Sequence, residues 1–199
     1  MRKLMSLLLA ATAALSAAAA LAAVSGPAPG FTLTDTTGKT VQLADYRGKY
    51  VVLEWTNPEC PFVRKHYSSG NMQGLQKEYG ARDVVWLAVN STNSSSSEFK
   101  TPAEMSAWMR TQNAVPSATL IDSTSSAGRA YGAKTTPEMF LIDPTGKVLY
   151  QGAIDDKRSA NPADVKTANN YVRAALTEAL AGKPVTVAST TPYGCSVKY

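Results

Sequence analysis

The sequence is short of residues that staple, ligate or strongly charge a protein. Among 199 residues it has two cysteines and one histidine. Two cysteines cannot build a disulfide-dense scaffold. With one histidine they cannot complete a tetrahedral Cys/His zinc site without carboxylates. No G-x-x-x-x-G-K-[ST] pattern occurs, so nucleotide hydrolysis has no support. Charged residues are only 18% and hydrophobic ones 44%, a balance that favours a packed core over a disordered chain. There is no internal repeat, and the length suits one domain.

The long apolar run lies at the start. Met1-Arg2-Lys3 opens a positive segment, Leu4 to Ala23 is apolar, and Ala20-Leu21-Ala22 fits a small-x-small cleavage site. Residues 1–22 therefore read as an export signal. The competing reading is an uncleaved anchor, because about 20 apolar residues can span a bilayer. The alanine-rich run drives insertion weakly, and no cysteine follows it to take a lipid. Cleavage would remove Arg2 and Lys3, leaving 18 basic against 15 acidic residues, or +3 instead of +5. That charge is too small and scattered to imply nucleic acid. Export would place both cysteines where a disulfide persists.

Residues 23–30 read as a linker. Phe31-Thr32-Leu33 and Val41-Gln42-Leu43 flank Asp35-Thr36-Thr37-Gly38-Lys39 and predict a small hairpin. Tyr50 to Trp55 and Asp83 to Val89 are nearly continuous apolar strands, expected to be covered on both faces. A helix is expected at Cys60-Pro61, since proline at the first helical position lacks no needed donor. It should break near Ser68-Ser69-Gly70, with Asn71 capping the next helix and Gly80 ending it. Thr101-Pro102-Ala103-Glu104 has capping-box spacing. Ala118 to Ile121 forms a third strand, and Thr124 to Tyr131 a short helix. Met139 to Ile142 and Val148 to Tyr150 form a hairpin around Asp143-Pro144-Thr145-Gly146. The spacing of Val165, Ala168, Val172, Ala175, Leu176, Ala179 and Leu180 predicts one last helix, stopped by Gly182 and Pro184. The order of elements implies an α/β domain with a mixed sheet over 31–184 and a tail over 185–199.

Cys60 follows a strong strand at an expected helix start, where unpaired N–H groups favour negative charge on sulfur. Position alone leaves reactive and inert thiols equally open. Arg64, one turn on, and Glu54, a carboxylate in a buried-looking strand, are candidates to tune Cys60; for Glu54 a surface strand end is the bland alternative. Thr136-Pro137 precedes an apolar strand. A trans bond there is the default, since cis is about 5–6% of X–Pro bonds. His66 is expected on the surface or satisfied in the core, about 240° around a regular helix from Cys60. A soft metal on Cys60 and His66 is a minor alternative. Asp155-Asp156 reads as a pair of solvated turn residues. Asn90-Ser91-Thr92 and Asn93-Ser94-Ser95 match glycosylation patterns, relevant only in a eukaryotic secretory route.

Several of these segments together carry a family resemblance. Leu53-Glu54-Trp55-Thr56-Asn57-Pro58-Glu59-Cys60-Pro61-Phe62-Val63 resembles the strand, loop and active-site turn of the thioredoxin superfamily. Thr136-Pro137 before Met139-Phe140-Leu141-Ile142-Asp143-Pro144-Thr145-Gly146-Lys147 resembles that fold's cis-proline loop and hairpin. Pro29-Gly30-Phe31-Thr32-Leu33 with Arg47-Gly48-Lys49 resembles the redoxin branch, which includes the AhpC/TSA family. Cys60-Pro61-Phe62-Val63 and the closing Gly194-Cys195-Ser196-Val197-Lys198-Tyr199 look most like its exported peroxiredoxin-like group. The resemblance covers about residues 26–199. It implies a thioredoxin-like α/β fold: a central mixed β-sheet flanked by helices, an N-terminal β-hairpin extension and an extended C-terminal tail. By position, Cys60 matches the first cysteine of the C-x-x-C turn. Thr136 and Pro137 match the loop beside it, with Thr136 offering backbone groups to an extended substrate if Pro137 is cis. Pro61 adjoins that substrate surface.

The departures are as informative. Val63 replaces the second cysteine of the turn, so a local dithiol cannot form. Peroxiredoxins place their peroxidatic cysteine at the position of Val63, and their P-x-x-x-T-x-x-C pattern does not fit Cys60: Leu53 and Asn57 stand where its proline and threonine would be. Cys195 is the candidate for the missing thiol. Eleven residues from Pro184 reach roughly 36 Å, against a radius of gyration of about 16 Å. A Cys60–Cys195 bond would be worth about 5 kcal/mol if unstrained.

The leading expectation is an exported thiol–disulfide oxidoreductase or thiol-dependent antioxidant using Cys60, with Cys195 resolving. It needs no cofactor, because sulfur carries the electrons. Its partners would be protein or small-molecule thiols and disulfides, with peroxides as a further option, and an external thiol reductant. Neither nucleic acid nor stable membrane insertion is implied after cleavage, and the periplasm of a bacterium is the expected site. The alternative is a non-catalytic peptide- or metal-binding module in which a Cys60–Cys195 disulfide staples the tail.

Overall fold

The computed structural model describes residues 26–199; the expected export signal and the first residues of the linker lie outside them. The strands are β1 (Thr32–Asp35), β2 (Thr40–Gln42), β3 (Val51–Trp55), β4 (Val85–Asn90), β5 (Ala118–Ile121), β6 (Thr135–Thr136), β7 (Glu138–Ile142), β8 (Val148–Gly152) and β9 (Cys195–Ser196). The α-helices are α1 (Pro61–Ser68), α2 (Asn71–Gly80), α3 (Pro102–Thr111), α4 (Ser126–Tyr131) and α5 (Tyr171–Leu180). Seven strands form one mixed sheet in the order β2-β1-β5-β4-β3-β7-β8. β3, β4 and β5 run parallel; β7 and β8 at one side, and β1 and β2 at the other, are antiparallel. β6 and β9 form a separate two-stranded ribbon.

Alternation along the central strands builds two cores. Val51, Leu53 and Trp55 face a layer with Leu87, Val89, Leu120, Phe140 and Tyr131 of α4. Val52 faces the other layer, with Trp86, Met139, Leu141 and residues of α1, α2, α3 and α5. Both faces of β3 are thus dry, as its nearly continuous apolar run predicts. Each large apolar side chain buried this way contributes about 1.5–3 kcal/mol. The two hairpin turns share one device: Asp35 Oδ1 accepts from the backbone N–H of Thr37 and Lys39, and Asp143 Oδ1 accepts from Thr145 and Lys147. Linker residue 28 is pinned to the second turn, with Ala28 N–H donating to Gly146 O at 2.8 Å.

The helices follow the sequence signals with two corrections. Asn71 does not cap α2. Gly70 occupies the cap with φ +74°, which glycine adopts freely, and the Asn71 amide turns to His66 Nδ1 at 2.9 Å. The last helix is also shorter than its periodicity predicts. Val165 lies in a 3-10 turn (Pro162–Thr167), the chain straightens, and Asn170 caps α5 by accepting from Arg173 N–H at 2.8 Å. Asparagines at 169 and 170 compete locally with helical hydrogen bonding. Asn90 is buried and its amide donates to Thr56 O at 3.0 Å, so it is no glycan acceptor in the folded chain. Among the described residues, no helix is long and apolar enough to cross a membrane.

Candidate active site

β3 delivers the chain to a turn at the end of the sheet. Thr56 N–H continues the ladder to Val89 O, and Asn57 then closes the turn twice. Its Oδ1 accepts from Glu59 N–H at 2.9 Å and its carbonyl from Cys60 N–H at 3.1 Å. Cys60 is the N-cap of α1, Pro61 its first residue, and Arg64 N–H donates to Cys60 O. Cys60 is 1% exposed while Pro61 beside it is exposed. Val63 is buried in the core beneath.

The Thr136-Pro137 peptide bond is cis. Cys60 S–H donates to Thr136 O at 2.9 Å, across 76 positions of sequence. Glu138 holds this loop from the far side: its carboxylate accepts from Lys134 N–H at 2.7 Å and Thr135 N–H at 3.1 Å. Burial is the main influence on the Glu138 carboxyl and raises its pKa. Glu138 belongs to no motif; its one signal in the sequence is a lone acid opening an apolar strand.

Cys195 arrives on the same loop. β9 pairs antiparallel with β6, placing Cys195 opposite Thr136. Cys195 is half-buried and packs against the core cluster that contains Cys60. Burial first, and then the neighbouring Cys60 thiol, push the Cys195 thiol up to about 12. Both cysteines are free thiols. The approach is close because residue 194 is glycine. Its φ is +144°, and a Cβ there would lie 2.0 Å from Thr136 O. Gly194→Ala should therefore lift the tail from β6. The alkylation midpoint of Cys195 should fall from about 12 toward the ordinary thiol range, because both burial and the Cys60 contact are lost. An unmoved midpoint in an alkylation series across pH would show that the tail stays docked.

The tail is anchored beyond Cys195. Val197 N–H donates to Lys134 O, Asn93 N–H to Lys198 O, and Tyr199 O–H to Ala133 O. Lys198 pairs with Glu98 at 3.3 Å, and the other Glu98 oxygen accepts from Asn57 Nδ2 at 2.7 Å. Glu98 thus bridges the Cys60 turn and the tail from a serine-rich loop with no motif to mark it.

The tuning candidates are directed elsewhere. Arg64 is tied to Pro58 O and Glu59 and is more than half exposed. Glu54 is fully buried and accepts from Trp86 Nε1, Tyr67 O–H and Gln76 Nε2; none of its hydrogen bonds goes to Cys60. Asp155 corrects the sequence reading. It is 2% exposed and lies 3.3 Å from buried Lys65, because α1 brings a cation that the local sequence does not reveal. Asp156 stays at the surface and binds Asn169. His66 is a satisfied core histidine held by Asn71; burial lowers it to about 4, against the opposing pull of Asp155. Among the described residues no group of three His, Cys, Asp or Glu side chains could hold a metal.

A cis-proline loop against a cysteine at a helix start, at the end of a β3–β4–β5 parallel core, defines a thioredoxin-fold protein of the redoxin type. The chain belongs to the AhpC/TSA family, whose model matches residues 24–151. It is 30% identical over 122 residues to the thiol-disulfide oxidoreductase ResA of Bacillus subtilis, covering 61% of this chain and 63% of ResA. It therefore spans less than two thirds of that relative. A crystal structure of an uncharacterized conserved protein from Geobacillus kaustophilus matches with TM-score 0.77 and 28% identity, over 88% of this chain and 92% of the other. A putative thiol:disulfide interchange protein DsbE from Chlorobium tepidum matches with TM-score 0.53 and 29% identity, over 64% and 82%.

Proposed function

We propose that the chain is an exported thiol–disulfide oxidoreductase in which Cys60 is the exchanging thiol and Cys195 completes the pair. The observation that carries this is the meeting of Cys60 and Cys195 at one residue, Thr136. The similarity to ResA supports the same chemistry. Cys60 sulfur, as thiolate, attacks a substrate disulfide; a Cys60–substrate S–S bond forms and the other substrate sulfur leaves as a thiolate. Cys195 then attacks Cys60 Sγ, the Cys60–Cys195 bond forms, and the second substrate thiolate leaves. Two electrons pass from the pair to the substrate, and an external thiol restores both cysteines.

The raised pKa of Cys195 orders these steps. While both thiols are free, Cys195 stays protonated beside Cys60. Once Cys60 sulfur is bonded to substrate, the smaller of the influences on Cys195, the neighbouring Cys60 thiol, is removed while burial remains. An attack led by Cys60 and finished by Cys195 follows. Peroxides fit less well as substrates, since Asn57 supplies an amide where the peroxiredoxin pattern has a hydroxyl. Residues 1–22 as a cleaved signal would place this chemistry in the periplasm, and the N-terminal residue of the mature protein tests that directly.

Glutathione disulfide is the test substrate. Wild-type protein should finish with an internal Cys60–Cys195 bond and no adduct by intact mass. Cys195→Ser should stop with one glutathione on Cys60, and Cys60→Ser should form no adduct through that site. A wild-type disulfide that forms once and then resists millimolar glutathione would favour a structural staple instead.

A further inference from the structure

The Cys60 helix has a second duty on its buried side. Lys65, one turn after the active-site turn, is 1% exposed; its neighbour His66 is fully buried. Lys65 Nζ donates to Lys157 O at 2.6 Å and lies 3.3 Å from Asp155 Oδ2. The phenol that completes this cluster comes from the tail. Tyr193 O–H donates to Asp155 Oδ1, accepts from Lys65 Nζ at 3.1 Å and lies 3.5 Å from His66 Nε2. The Tyr193 ring packs edge-on against Phe62 of the active-site turn at 5.8 Å, and Lys65 Nζ sits 5.3 Å from its centre. Tyr193 is 6% exposed, unlike its tail neighbours. It stands two residues before Cys195.

We propose that Tyr193 is a positioning residue: seated in a socket of Phe62, Lys65, His66 and Asp155, it fixes the effective concentration of Cys195 at Cys60. This rests on the oxidoreductase reading above. The physical reason is a short lever. β6 and β9 share only two residue pairs, too few to hold a strand against water alone. A free tail meets Cys60 at the millimolar effective concentration of a flexible tether. Val197, Lys198 and Tyr199 hold the chain beyond Cys195, and a phenol locked two residues before it fixes the other side of the short segment that carries the sulfur, so less ordering remains to oppose the bond. Because the socket and Cys60 share α1, the two sulfurs are registered to one rigid body.

The experiment is the equilibrium of the full chain with reduced and oxidised glutathione. The Cys60–Cys195 bond constant is divided by that of the Cys60–glutathione adduct in the Cys195→Ser background, which gives the effective concentration. Tyr193→Ala should lower it by about tenfold or more. Tyr193→Phe keeps the ring contact with Phe62 but deprives Lys65 and Asp155 of the hydroxyl, and should fall between. If the alanine variant does not fold, the phenylalanine variant decides, with a fall of at least about threefold expected. Constants within twofold across all folded variants would overturn the socket while leaving the oxidoreductase reading intact. So would a fall that also appears in the Cys60–glutathione adduct, since Tyr193 would then act on Cys60 itself. A wild type that forms no Cys60–Cys195 bond overturns both.

Discussion

Glu54→Leu should destabilise the protein by about 3–5 kcal/mol, while Glu54→Gln should cost far less. The carboxyl is fully buried in β3 and accepts from Trp86 Nε1 at 2.8 Å, Tyr67 O–H at 2.7 Å and Gln76 Nε2 at 3.3 Å. All three partners are themselves buried, so leucine strands an indole N–H with no alternative and weakens the other two. Glutamine keeps an acceptor for Trp86, and the Tyr67 hydroxyl can turn to accept from the new amide. The pair also separates in pH dependence. Burial, only partly offset by those hydrogen bonds, raises the Glu54 carboxyl above 4.5. The native state then holds its proton more tightly than the unfolded chain. The Glu54 contribution to stability must fall as pH rises above the ordinary carboxylate value and level off once the native carboxyl has ionised, whereas buried His66, lowered to about 4, adds stability with rising pH in both proteins. Glu54→Gln removes that slope. Denaturant midpoints measured from pH 4 to 8 check both points, and parallel pH profiles for wild type and Glu54→Gln would refute the assignment.

Features written in contiguous residues were legible. A strand, a polar turn and Cys60-Pro61 announce a helix start, and Cys60 is its N-cap. For Thr136-Pro137 the local pattern favours a trans bond and only the family resemblance points to a cis-proline loop; the bond is cis. The hairpin aspartates and the Thr101–Glu104 capping box act within five residues of themselves, so local pattern suffices. What failed was decided across distance. Asp155 looked like a solvated turn residue because nothing near it is basic and buried; its partner Lys65 is 90 positions away. Tyr193 carried no signal, since an aromatic residue in an extended tail resembles chain-end decoration. The tail's reach was computable from its length, but its address was not. That depends on Gly194, whose missing Cβ admits Thr136 O, and on Glu98, which no motif marks.

Asp155→Leu should lower stability by about 3–5 kcal/mol, the cost of leaving a buried charge unpaired. Lys65 would keep its contact with Lys157 O but lose the anion that balances it, at a site with 0% side-chain exposure. Asp155 also accepts from Lys157 N–H at 3.0 Å and from Tyr193 O–H, so the substitution loosens the 153–158 segment and the tail together. The decisive comparison is the double variant Lys65→Met/Asp155→Leu. Removing both charges removes the unpaired cation, so the double variant should recover well over 1 kcal/mol of the loss. It should not recover all of it, because Lys157 N–H and the Tyr193 hydroxyl remain without Asp155. Thermal and denaturant unfolding of the four proteins give the coupling. Strict additivity would mean that the pair does not interact in solution. If recovery is seen, the double variant separates the two duties of the cluster. Core stability should largely return, while Cys60–Cys195 pairing with glutathione should stay weak, because the socket for the Tyr193 hydroxyl is gone.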